Sequence, residues 1–313
     1  MLKSLNQRLA VYVILPVALV LSVMGLFAFL YARDALLDEW KKAAVLKLER
    51  AAHRLDMRLD QPVEWIRMLG KTAEKRGSPA VGDWVLDQLR NMDGVSGIRL
   101  EWSGEGTGSP GRMGMMTPRM GGTGMMPFHR ARIAEVTPPR YDARTGQKTV
   151  TIITELKDES GRPAGTLEVD LAFDFLMQDI MSFGWWQSES ACLVDLSGHF
   201  LASTAALEGR ERLGETGNEV ELAILNAMTE ESAGTRLGPG HPADLVGGFY
   251  RVKRAPWVLV MFAPGRKVLA PIVQFRNYYA VAGVLCIAAI ALLIRIAGAR
   301  IVKPVKEVSR AAE

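Results

Sequence analysis

The sequence predicts an α+β protein: a long helix and two antiparallel-sheet modules lying between two apolar spans. Two uncharged apolar runs, residues 9–32 and 277–294, sit toward the two ends of the 313 residues. After the first run, one stretch repeats apolar residues at helical spacing. The rest reads, twice over, as strands broken by Gly, Pro and Asp turns. Strands with a few helices, in two successive groups, give an α+β class built on antiparallel sheets.

The first run carries no charge between Arg8 and Arg33, and its length exceeds the roughly 20 residues a helix needs to cross a bilayer core. It reads as an anchor. A cleaved signal has a shorter apolar core and an Ala-x-Ala-like site, absent near Ala32. The second run is uncharged between Arg276 and Arg295 and opens with Tyr278 and Tyr279, aromatics suited to the membrane interface. Lys3 and Arg8 precede the first run, and Arg295, Arg300, Lys303, Lys306 and Arg310 follow the second. The positive-inside bias therefore predicts two spans with both termini cytoplasmic and residues 33–276 outside, the periplasm of a bacterium with two membranes. Cys192 and Cys286 cannot pair in this topology, so no disulfide framework is expected. A net charge of +4, much of it at membrane flanks, gives no support to nucleic-acid binding.

From residue 34 to 76, Leu37, Trp40, Ala44, Leu48, Ala51, Leu55 and Leu59 recur at spacings of three and four, with Glu, Lys and Arg between them. This predicts one amphipathic helix reaching roughly 60 Å at about 1.5 Å per residue, a stalk kinked at Pro62. The alternative is a core helix of a globular domain. A protruding stalk would leave its apolar stripe wet, so a homodimer along it is expected. A helix over 84–92 leads to a strand at 95–102 and a loop over 103–128. Strands follow at 131–136, 149–155 and 165–171, with turns at 137–147 and 157–162 and a helix from about 174. The second group has a strand–turn–strand over 191–203, a helix over 218–229, a loop over 234–242 and strands at 247–252 and 257–262. A helix over 267–274 then enters the second span.

The run Pro-Arg-Tyr-Asp-Ala-Arg-Thr-Gly (139–146), then Thr-Val-Thr-Ile-Ile (149–153), Asp-Glu-Ser-Gly (158–161) and Gly-Thr-Leu-Glu-Val-Asp (165–170), resembles the membrane-distal part of double Cache domains. These are tandem PAS-like extracellular sensors. Leu-Val-Asp-Leu-Ser-Gly-His-Phe-Leu-Ala-Ser (193–203) and the strand from Trp257 resemble the proximal module, and the tail from Arg300 with Pro304 resembles the start of a HAMP linker. The resemblance implies a cytoplasmic N-terminus (1–8), a first span (9–32), a stalk (33–78), a distal PAS-like module (79–184), a proximal one (185–265), a helix forming the second span (266–299) and the HAMP-like start (300–313). It implies the sensor half of a two-component histidine kinase or chemotaxis transducer, with no catalytic domain within these residues. Whether the protein continues into a kinase stays open.

In that family the Asp ending the last distal strand binds the amine of an amino-acid ligand, and Asp170 matches the position. The other reading of Asp170 is a cap for the helix that follows. The family's Arg-x-Trp-Tyr cluster is not visible here, and Arg99, Trp102 and Tyr141 are the nearest candidates. In its place stands a segment with Met113, Met115, Met116, Met120, Met125, Met126 and His129. Thioethers select Cu(I) or Ag(I), and no Asp or Glu lies between Gly106 and Ile133 to favour a hard cation. The competing readings are a lid over the pocket mouth, an adaptable apolar surface and an oxidation-sensitive segment. A membrane-anchored copper- or silver-binding protein is thus the rival to a receptor for an amino acid or small carboxylate. His53, His199 and His241 have no metal-ligand spacing, and no haem, zinc-protease, P-loop, nucleophile-elbow or Rossmann motif is present.

Overall fold

The structure is a computed structural model that describes residues 5–74, 79–103, 130–143, 146–158, 160–240 and 243–297. The chain divides into two units, residues 44–239 with 245–263, and residues 1–43 with 240–244 and 264–313. One helix, α1 (Leu5–Glu74), contributes to both.

The larger unit holds the remainder of α1, then α2 (Pro79–Arg90), β1 (Val95–Trp102), β2 (Arg130–Val136), β3 (Arg140–Asp142), β4 (Gln147–Lys157) and β5 (Pro163–Ala172). These five strands form an antiparallel sheet in the order β1-β5-β4-β2, with β3 also pairing β4. Two short helices, α3 (Phe173–Ser182) and α4 (Gly184–Ser188), lead to the second sheet. That sheet comprises β6 (Ser190–Asp195), β7 (Phe200–Ser203), β8 (Ala233–Leu237), β9 (Leu245–Arg251) and β10 (Trp257–Pro264), in the order β7-β6-β10-β9-β8. Helix α5 (Glu219–Glu230) sits between β7 and β8 in sequence, and Asn218 caps it by accepting from the N–H groups of Val220 and Glu221 at 2.9 and 3.4 Å.

Side-chain alternation sorts each sheet into faces. In the distal sheet Val150, Ile152, Leu156, Leu167, Val169 and Leu171 are buried on one face. Ala131, cross-strand from Leu156, lies against Gly70, so this face meets α1. In the proximal sheet Gly247 faces Ile224 of α5, while the next residue, Gly248, faces Ala44 and Leu48 of α1. Helices thus cover both faces, and β10 is buried along Trp257–Ala263.

Helix α1 is the common spine of both sheets. Ala44, Leu48, Ala51, Leu55, Leu59, Val63, Ile66 and Leu69 are all at most 3% exposed within the single chain. The core-helix reading therefore holds over the protruding stalk, and the argument that a wet stripe forces dimerisation falls away. The helix also continues through Pro62, whose neighbours Leu59, Val63 and Ile66 are buried. Arg58 fixes α3 against it, pairing with Asp179 at 2.8 Å and lying 4.3 Å above the Phe175 ring. Phe173 and Trp257 meet edge-on at 6.4 Å, joining the two sheets' cores. Two strands occupy segments expected as turn or loop: β3 lies within 137–147, and β8 overlaps the start of 234–242.

In the smaller unit, α6 (Gly265–Val268) precedes α7 (Ala270–Ala297). Windows in α1 and α7 reach mean hydropathies of 2.4 and 2.1 with no residue buried, so both helices are long and apolar enough to cross a membrane. The Tyr279 hydroxyl donates to the Leu21 carbonyl at 2.8 Å. Its ring sits where a side chain on Gly25 would clash, at 2.4 Å from an added Cβ.

Candidate functional site

The face of the distal sheet opposite its core is polar. Register places Gly97 opposite Asp170 and Asp170 opposite Thr151, while Arg99 stands opposite Glu168. Directly paired residues share a face, so Arg99, Glu168, Asp170, Thr151 and Thr149 all project to the same side. A β-bulge between Val95 and Gly97 bends the start of β1 and brings the Ser96 hydroxyl to the Asp170 carbonyl at 3.2 Å. Gly97, paired with Asp170, lines the same space.

The result is a cleft of ≈ 520 Å³ lined by β1 (Ser96, Gly97, Ile98, Arg99), β3 (Arg140, Tyr141, Asp142), β4 (Thr149, Thr151) and β5 (Asp170). Asp170 is only 8% exposed. Its Oδ1 accepts from the Thr151 hydroxyl at 2.6 Å, and the Arg99 guanidinium approaches its Oδ2 at 3.3 Å. Arg99 also pairs with Glu168 at 3.1 Å while its side chain stays 60% exposed. A buried carboxylate held by a hydroxyl and a largely exposed guanidinium can exchange the guanidinium for a ligand cation at small cost, because the displaced Arg99 keeps Glu168. The cap of α3 is Ala172, with no side-chain cap bond, so Asp170 does not cap the helix that follows.

Of the residues singled out in the sequence, Arg99, Tyr141 and Asp170 meet at this cleft, Tyr141 at its rim and 70% exposed. Trp102 does not join them. It pairs with Gly165, three residues on from Arg99, and so an odd number of steps turns it to the opposite face. The structure adds Thr151, Thr149, Arg140 and Ser96, which sequence reasoning missed. The signal was present as polar residues two apart: Thr149 and Thr151, Glu168 and Asp170. The methionine-rich segment ending at His129 and the tail from 300 lie outside the described residues. Among the described residues no group of three His, Cys, Asp or Glu side chains is placed to hold a metal.

Between the proximal sheet and α5 the described residues form a packed apolar core. Cys192, Val194, Val220, Ile224, Met228, Phe249, Val258, Val260 and Phe262 fill that space. Cys192 is fully buried, and burial pushes its thiol well above the ordinary range, which makes it an inert core residue.

No family model and no curated protein matches the chain. Among solved structures, the periplasmic sensory domain of the Campylobacter jejuni chemoreceptor Tlp1 is similar at 11% identity and a TM-score of 0.52, over 75% of this chain and 99% of that one. The sensory domain of the C. jejuni chemoreceptor Tlp3 is similar at 12% identity and a TM-score of 0.50, over 76% and 98%. At such identities the likeness is one of fold. The fold is therefore similar to that of these two chemoreceptor sensory domains.

Proposed function

We propose that this chain is the input half of a bacterial transmembrane receptor that binds a small amino acid or carboxylate in the distal cleft. The observation that carries the reading is Asp170, buried on the wall of an open cleft and flanked by Thr151 and Arg99. A ligand ammonium would take the place of Arg99 at Asp170, and a ligand carboxylate would meet Arg99 and Arg140. The apolar helices cross the inner membrane, residues 33–276 are periplasmic and both termini are cytoplasmic. The output is a histidine kinase or a chemotaxis transducer reached through the tail from residue 300.

Transmission needs a ligand that binds one conformation better than another. The route begins at Asp170, because β5 runs into α3 three residues later and α3 is tied to α1 through Arg58 and Asp179. A shift of β5 on ligand closure would be passed to α1 by that ion pair.

The test is calorimetric titration of a panel of amino acids and small carboxylates into the wild-type chain and an Asp170→Ala variant. Loss of a charged hydrogen-bonding partner is expected to weaken the panel's best ligand about 10- to 100-fold. Unchanged affinity would remove the cleft from the account.

A further inference from the structure

A second cleft, of ≈ 620 Å³, lies between the outer side of α1 and the turn joining β9 to β10. Asp56 forms its floor and is 8% exposed. Its Oδ1 accepts from the backbone N–H groups of Lys253 at 3.0 Å and Arg254 at 2.8 Å, so one carboxylate oxygen ties the turn to the helix. Among the described residues, these titratable or charged groups line the cleft. Glu49, Arg50, His53 and Asp60 come from α1, Tyr250 from β9, and Lys253 and Arg254 from the turn. Arg254 is occupied with Asp60, its Nε 2.5 Å from Oδ1. Tyr250 stays a neutral hydroxyl, because burial and then the Glu49 carboxylate push its titration upward.

From this geometry we infer that Asp56 is a proton-operated clamp, giving the proximal half of the protein a second input, acidity, separate from the distal cleft. Both bonds that hold the turn fall on Oδ1. A proton added to Oδ2 leaves Oδ1 a carbonyl oxygen that still accepts them, while it removes a charge that is buried beside the Asp60 carboxylate. Burial is the leading cause that raises the Asp56 carboxyl above the ordinary carboxylate range. The two N–H bonds oppose it and the Asp60 charge adds to it. When the turn lets go, Asp56 meets water and titrates normally. The closed clamp therefore holds its proton to higher pH than the open one, so acid favours closure and rising pH favours release. What closes is the turn that starts β10, the strand that runs by way of α6 into α7.

Hydrogen exchange of the full chain in detergent, read at the Lys253 and Arg254 amides and corrected for the intrinsic pH dependence of exchange, tests the clamp. Protection in the wild type is expected to rise toward that of the Asp56→Asn protein as the pH falls from neutral through the ordinary carboxylate range, about 4. Asp56→Asn keeps an accepting oxygen and carries no charge. It is expected to show the acid-state protection at every pH. Asp60→Asn retains the clamp but removes the neighbouring charge, and is expected to move the wild-type transition to lower pH. Protection that is flat with pH, or that falls in acid, overturns the inference in either the wild type or the Asp60→Asn protein. Distal-cleft ligands play no part in the readout.

Discussion

Glu221→Ala is expected to destabilise the unit that holds the two sheets by about 3 kcal/mol, the low end of the cost of stripping one partner from a buried ion pair. Glu221 is 6% exposed at its side chain and Arg210 19%. The two carboxylate oxygens face the two guanidinium nitrogens of Arg210, one of the contacts at 3.0 Å, and Oε2 also accepts from the Gly214 N–H at 2.9 Å. Arg210 lies 5.7 Å from the centre of the Phe200 ring. The bracket thus pins the segment between β7 and α5 over the end of the proximal core. Removing the carboxylate leaves a guanidinium and an amide without their acceptor, in a place water reaches poorly. At roughly 2–4 °C per kcal/mol for a domain of this size, the midpoint should fall by about 6–12 °C. Glu221→Leu combined with Arg210→Met should recover most of the loss, because two apolar side chains of similar volume carry no desolvation penalty. A fall of under 2 °C in the single variant would mean that the pair is solvated.

Leu55→Ala is expected to cost about 2–5 kcal/mol through lost transfer free energy and the cavity left behind. Leu55 is 0% exposed and sits between Ala52 and Leu59, also fully buried, near the middle of the part of α1 that meets both sheets. Because one helix supplies core residues to both, the variant should unfold in a single transition at lower denaturant rather than lose one sheet first. Circular dichroism and tryptophan fluorescence can report this together, since Trp102 lies in the distal sheet and Trp257 in the proximal one. Two separated transitions would contradict the common spine.

How far each feature was legible in the sequence depended on whether its cause was local. The strand at 95–102 and the helix behind Asn218 were read within a residue or two, because alternation and capping are encoded in neighbouring residues. The strands β3 and β8 were not. Three residues beside Pro138 and Pro139, and five that include Gly234, carry too little pattern, and each exists because β4 or β9 supplies its hydrogen bonds. The apolar stripe of α1 was visible, but a stripe does not say what covers it, and length alone suggested a stalk. Asp170 was found by resemblance. Thr151 and Arg140 were not, because their meeting with Asp170 depends on the pairing of β3, β4 and β5, which no local pattern fixes. Asp56 was passed over as one charge among many on an amphipathic helix, and only the turn arriving from residues 253 and 254 gives it a role.

The central claim is that the distal cleft is the ligand site. Hydrogen exchange across the whole chain, with and without the tightest-binding member of the amino acid and carboxylate panel, tests it most directly. The account predicts added protection in β1, around Thr149 and Thr151, and around Asp170, with α3 following and the proximal core between its sheet and α5 unchanged. Protection confined to the proximal sheet, or none in β1 and β5 at saturating ligand, would contradict it.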